Sequence, residues 1–266
     1  MNYDFIPIWI LFIGTFLVVM LSIEVGYRLG HRSRRRSEDE KESPVSAIAG
    51  SVLGLSAFML AFTFSIVANR YDSRKELVRE EANSIGTTYL RTDFLPEPDR
   101  DEAKALLKEY VSDRITTVEK LRSGELTPEG LAEGLAKSGR THRRLWEMAV
   151  TNARKDMNSD VAALYIDSLN GLIDIHALRV AVALQARIPT GIWFALSSVT
   201  VLGMASVGYQ TGIAGSKRSL TKPVLAVSFS LVIALIAALD RPNGTYVKVS
   251  QQPFIDLLDS MSSTPP

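Results

Sequence analysis

The chain has 266 residues, 46% of them hydrophobic and 22% charged, with a formal net charge of +1 and no cysteine. The lack of cysteine excludes disulfides, thiol catalysis and thiolate metal sites, and the balanced charge offers no clustered basic face for nucleic acid. Charges are nearly missing from four stretches and dense between them, which is the pattern of an all-α membrane protein with a water-soluble insert.

The first stretch, "FIPIWILFIGTFLVVMLSI" (residues 5–23), is long enough to cross a hydrocarbon core of ~30 Å at 1.5 Å per residue. It reads as a retained span rather than a cleaved leader, because its flank "MNYD" is not basic and no small-x-small site precedes the charged run. The second span is predicted over 44–69, the third over 188–212 with Trp193 and Tyr209 as interfacial anchors, and the fourth over 222–240. The spans pair into two hairpins, 1–69 and 188–240. The loop of the first hairpin, 24–43, carries Arg28, Arg32, Arg34, Arg35 and Arg36, and that of the second carries Lys217, Arg218 and Lys222. Both loops therefore read as cytoplasmic by the positive-inside rule, which places both termini and the middle segment outside.

That middle segment, 70–187, is predicted to be a helical bundle. Leu107, Tyr110, Val111, Ile115, Val118 and Leu121 share one face of a helix that begins near Pro98. Thr127 is a predicted N-cap with Pro128 in the first helical position. A further helix repeats apolar residues at Val161, Leu164, Tyr165, Leu169, Leu172, Ile173 and Leu178. Breaks are expected at "LPEP" (95–98) and "SGEL" (123–126). The tail, 241–266, carries "PFIDLL", which could pack on the bundle.

Chemistry-bearing candidates are few. His31, His142 and His176 have no neighbours at ligand spacing, so no metal or other cofactor is expected. No phosphate loop or nucleophile elbow is present, and no enzyme activity is expected. Glu80 and Glu81 are adjacent acids that read as a solvated helix face. Glu24 can pair with Arg28 at i+4. Asp240 and Arg241 read as the residues that end span four. The span interiors hold no charge, which argues against proton-coupled transport.

Span two is the most informative stretch. Ser46, Gly50, Gly54, Ala57, Ala61 and Ser65 recur at i+3 or i+4 as one small-residue face, and Ser51, Leu55, Phe58 and Phe62 form a neighbouring stripe. The small face can be a helix-packing seam within the chain, the reading that packing physics alone favours. Alternatively, in a ring of identical helices, the small face meets a neighbouring copy. The phenylalanines then form stacked apolar rings ~6 Å apart along an axis, a constriction that gates by dewetting. The helix continues past the span without a breaker through Arg70, Arg74, Glu76, Arg79, Glu80 and Glu81 to about Gly86. It reads as one rod, or lever, between membrane and bundle.

"FMLAFTFSIVANRY" (58–71) resembles the neck of the bestrophin anion channels, and on that match Gly54, Phe58 and Phe62 fall on the three neck positions. The wider stretch "AFTFSIVANRYDSRKELVREEANSIGTTYLRTDFLPEP", with "LDRPNGTYVKVSQQP", is similar to the bacterial bestrophin-like family of unknown function. The resemblance implies a homo-oligomeric, pentameric channel of the bacterial inner membrane, in contact with lipid and permeable to inorganic anions. Its pore and gate would be Ser51, Gly54, Leu55, Phe58, Phe62 and Ser65, with Arg70, Arg74, Glu80 and Glu81 at the pore exit or on the lever. Gly54 departs from the bulky aliphatic residue of the first neck position, and nothing matches the bestrophin calcium clasp. The bestrophins also hold their large domain in the cytosol, opposite to the side given by the charge rule. The competing expectation is a non-conducting membrane protein whose bundle senses or binds an envelope partner, with the small-residue face as a seam within each subunit.

Overall fold

The computed structural model describes residues 6–36, 42–184, 187–215, 221–241 and 247–263. The described residues are helical, with no strand among them: α1 (Ile8–Arg36), α2 (Glu42–Arg91), a single 3-10 turn (Thr92–Phe94), α3 (Asp99–Ser123), α4 (Pro128–Ala153), α5 (Asp160–Leu184), α6 (Thr190–Ile213), α7 (Thr221–Asp240) and α8 (Gln252–Ser263). The chain divides into two compact units. Met1–Arg70 with Arg187–Arg241 form the first, and Tyr71–Ala186 with Pro242–Pro266 form the second. Among the described residues five helices, rather than the four expected, are long and apolar enough to cross a membrane: α1, α2, α5, α6 and α7. The addition is α5, the least hydropathic of the five, which leaves Val161, Leu164 and Leu178 exposed while burying Tyr165, Leu169 and Leu172.

In the first unit α1 packs along α6 and then α7. Close approach requires glycine here. A Cβ on Gly26 would stand 1.9 Å from the Ala205 carbonyl oxygen, and one on Gly208 would stand 2.1 Å from that of Ile23. Small residues let membrane helices approach this closely, and Val19, Ile23, Met204 and Ala226 fill the layer beside the contact. The glycine seam within the chain thus lies between spans one and three, not on the small face of span two. Arg28 Nε donates to Glu24 Oε1 (2.9 Å), as their spacing predicts. Lys217 and Arg218 lie outside the described residues, as does the side chain of Arg36.

At 50 residues, α2 spans about 75 Å at 1.5 Å per residue, far more than a bilayer core needs. No proline or glycine breaks it at the end of the predicted span, and it runs beyond Gly86 to Arg91.

The second unit closes as its sequence signals direct. The Thr127 hydroxyl accepts from the Gly130 N–H with Pro128 at the first helical position, and α3 ends on Gly124 in the left-handed region (φ 78°). Leu107, Tyr110 and Val111 of α3 are buried against Ile85 of α2, Leu145 of α4 and Leu169 of α5. The tail is an integral part of this unit, since Phe254 at the start of α8 is fully buried in the same core.

Candidate functional site

Within the first unit, α2 has a covered side and an open one. Ala49, Ser56, Leu60, Thr63 and Val67 are buried, and the Ser56 hydroxyl lies 2.9 Å from the Val52 carbonyl oxygen and 3.1 Å from that of Val199 on α6. These residues recur at helical spacing, so they mark the stripe of α2 that is packed within this unit. The predicted pore residues all lie elsewhere. Ser51, Gly54, Leu55, Phe58, Phe62 and Ser65 are exposed, as are Gly50, Ala57 and Ala61 of the small-residue face. A Cβ added at Gly50 or Gly54 would meet nothing within 4 Å. The seam within the chain that the small face could have made is therefore not formed by that face. At the start of that face Gln210 Nε2 donates to Ser46 Oγ (2.9 Å).

On the open side the Phe58 and Phe62 rings stack, with centroids 6.3 Å apart and planes inclined by 16°. They are 65% and 53% exposed. Four residues advance a helix by about 400°, so an i, i+4 pair superposes almost directly, and two aromatic rings so placed present one continuous apolar wall. The Ser51 hydroxyl returns its hydrogen to the Ala47 carbonyl (2.9 Å), which leaves its acceptor side outward.

The charged residues beyond the phenylalanines are placed differently from expectation. Arg70 is half-buried and reaches Asp240 Oδ1 (3.4 Å). Asp240 and Arg241 do not merely end a span in water. Both are buried: Asp240 Oδ1 also accepts from the Ile188 N–H (3.0 Å), the Arg187 guanidinium donates to the Asp240 carbonyl (2.8 Å), and Arg241 donates to the Ile6 carbonyl (2.7 Å). The acid thus caps the chain where it enters α6, a role for which no local motif in the sequence gives notice. Arg74 is half-buried.

Glu80 is exposed, as a solvated face requires, but Glu81 is fully buried. The solvated-face reading fails for Glu81 because successive helix residues point about 100° apart, and this step turns it into the core of the second unit. There Tyr110 Oη donates to Glu81 Oε1 (2.7 Å), Arg114 donates to Oε2 (3.2 Å), and Arg179 pairs with the same oxygen. His176 Nδ1 lies 2.8 Å from Tyr110 Oη, and His142 packs edge-on to His176 with ring centroids 4.9 Å apart. Burial works to raise the Glu81 carboxyl, but the hydrogen-bonded His176 and the two guanidiniums outweigh it and hold the group well below the usual carboxylate range. Burial and the neighbouring His176 push His142 down to about 4. The sequence signal for this hub was Arg114 and Arg179 at positions i+4 from Tyr110 and i+3 from His176, charges set beside an apolar helix face. Among the described residues no group of His, Cys, Asp and Glu is arranged to hold a metal ion.

A family model described as the bestrophin-like domain matches residues 13–254. A search of curated proteins finds no match. Among solved structures, a crystal structure of a bacterial bestrophin homologue from Klebsiella pneumoniae, a single-site variant, is similar with a TM-score of 0.64 at 16% identity, covering 95% of this chain and 99% of that one. A second crystal structure of that homologue has a TM-score of 0.62 at 16% identity and covers 96% and 99% of the two chains. At these identities the likeness is one of fold.

Proposed function

The chain belongs to the bestrophin-like family, and from that premise we propose that it is a homo-oligomeric, pentameric ion channel of the bacterial inner membrane, with α2 lining the pore and Phe58 and Phe62 as its hydrophobic gate. The observation that carries the reading is the open side of α2. Bulky rings, serines and glycines share a helix face that stays exposed among the described residues. Glycine and serine facing lipid leave backbone and hydroxyl groups poorly matched to hydrocarbon, whereas the same residues against a second copy permit close packing. In this arrangement α1, α2, α6 and α7 are the four spans of two hairpins, α5 stays with the helical insert, and the basic loops face the cytoplasm. The rival reading, a non-conducting sensor of an envelope partner, needs the small face as a seam within the subunit. That face is open.

The resemblance implies anions, and the positive edges of the phenylalanine rings suit them. A specific observation favours the opposite sign. Beyond the phenylalanines, Asp72, Glu76 and Glu80 are exposed at four-residue spacing along α2, with Asp72 paired to Lys75 (3.5 Å), Arg79 exposed beside Glu80 and Arg70 tied to Asp240. Acidic rings of this kind suit cations.

Recordings from the purified protein in planar bilayers test the function. The expected result is discrete currents that grow in Phe62→Ala, with the reversal potential in unequal KCl giving the sign of the ion. If both proteins are silent, the channel reading falls. Because the chain has no native cysteine, Phe58→Cys should crosslink between subunits on a clean background. For sidedness, Asp156→Cys should react with an impermeant thiol reagent on intact spheroplasts and Arg35→Cys should not.

A further inference from the structure

Every helix of the second unit except α8 places an ionisable or polar side chain in the Glu81 hub. Glu81 comes from α2, Tyr110 and Arg114 from α3, His142 from α4, and His176 and Arg179 from α5. The segment before α8 adds Gln251, whose Oε1 accepts from Arg179 (3.2 Å), and α8 supplies Phe254, whose ring lies 4.9 Å beneath the Arg179 guanidinium. Tyr110 has one hydroxyl proton and gives it to Glu81, so the 2.8 Å contact with His176 Nδ1 requires that nitrogen to be the donor. The polar chain His176, Tyr110, Glu81 is therefore complete, and the carboxylate already faces two guanidiniums.

Two hub nitrogens are buried without a hydrogen-bond partner, Arg114 Nε and His142 Nε2, and of these two groups the imidazole is the one that titrates near neutral pH. His142 is 7% exposed, and its ring packs on Tyr110 (5.2 Å) and His176 (4.9 Å). We propose that His142 makes the attachment of α4 a proton-operated latch, closed while its imidazole is neutral and released when that imidazole takes up a proton. The charges that face it decide the sign. A proton at His142 would add positive charge to a pocket that holds Arg114 and Arg179 against the single carboxylate of Glu81, and no acceptor remains for its N–H. Solvent offers one, so the protonated ring favours a state with α4 lifted from α3 and α5, the two helices against which it packs.

The folded value is depressed, near 4 against an ordinary 6.5. The lifted state therefore binds more protons between those limits, and the latch is fully closed above the ordinary value and loosens as pH falls through the window. Between pH 7.5 and 5 the opening constant should rise on the order of thirtyfold.

The test is amide hydrogen exchange of α4 in the full-length detergent-solubilised protein, corrected for the intrinsic effect of pH. It should speed up by that factor at pH 5 relative to α3, and the acceleration should vanish in His142→Phe, whose ring cannot be charged. Equal exchange at both pH values, or the same acceleration in His142→Phe, overturns the latch. Should His142→Phe fail to fold, a histidine-selective NMR titration of the native chain decides. A His142 resonance that titrates near 4 supports the latch, and one that titrates near 6.5 removes it. Neither readout depends on conduction, so failure here is distinguishable from failure of the channel reading.

Discussion

Helices α1 and α2 each carry a pair of glycines on one face, and the two faces meet opposite fates. Gly26 and Gly30 of α1 are pressed against the backbone of α6, so closely that an added Cβ would stand 1.9 and 2.2 Å from the carbonyl oxygens of Ala205 and Tyr209. Gly50 and Gly54 of α2 have nothing within 4 Å of the same added atom. The residue type and its four-residue spacing are identical. Spacing of small residues therefore states that a helix can be approached closely, and only the fold states what approaches it. In α1 the occupant is this chain. In α2 the face is open in the single chain, which is what the proposed ring of copies requires. The contrast repeats further along α2, where Glu81 is enclosed and Glu80 is open to solvent.

The largest effect expected from this contrast is at the enclosed acid. Glu81→Gln keeps the shape but leaves Arg114 and Arg179 buried without their counter-charge, a loss of about 3–5 kcal/mol for a broken buried pair. Thermal or denaturant melting of the detergent-solubilised protein should register it as a large fall, and an unaltered midpoint would mean that water reaches the hub.

The next effect is at the glycine seam. Alanine is the better helix former by roughly 0.5–1 kcal/mol, so Gly26→Ala would stabilise an open helix. Here its methyl meets backbone rather than a pliable side chain, and overpacking of about 1–3 kcal/mol should outweigh the propensity gain. Gly54→Ala is the sharp counterpart. With open space around it, the same substitution should leave the melting of the single chain unchanged or raise it by up to roughly 1 kcal/mol, while shifting the oligomer population in size-exclusion chromatography. A comparable destabilisation at both positions would break the distinction between the two faces.

Much of this architecture is legible in the residues. Thr127 and Pro128 announce α4, Gly124 ends α3, and the lack of a breaker after Asn69 predicts the long run of α2, because caps and breakers act through local backbone geometry. The exposed stripe of Ser51, Leu55, Phe58 and Phe62 is likewise visible as a helical period. Tertiary partnership is not. The Gly26–Gly208 seam joins residues far apart in sequence, and each glycine alone is unremarkable. The enclosure of Glu81 depends on α3, α4 and α5 converging on one turn of α2, and the burial of Asp240 depends on the chain returning at Ile188. The apolar period of α5 predicts a helix of the bundle, and its exposed Leu164 and Leu178 show an apolar character broader than one core-facing stripe.

The smallest effect on stability is expected at Glu80, and it separates the two sides of α2 most economically. Glu80 and Glu81 are neighbours of the same type on the same helix, so propensity, helix dipole and unfolded-state terms nearly cancel between Glu80→Gln and Glu81→Gln. What differs is enclosure. An exposed carboxylate is solvated in both folded and unfolded states, and its removal should move stability by less than about 0.5 kcal/mol. In the proposed channel its influence on permeation should be larger, because a charge repeated around the axis of such a ring acts on each passing ion together with its copies. Glu80→Gln should therefore melt like the native chain while shifting the reversal potential away from cation preference. A fall in the melting midpoint as deep as that of Glu81→Gln would place Glu80 inside the structure too, and an unshifted reversal potential would remove the open acidic side of α2 from the path of the ion.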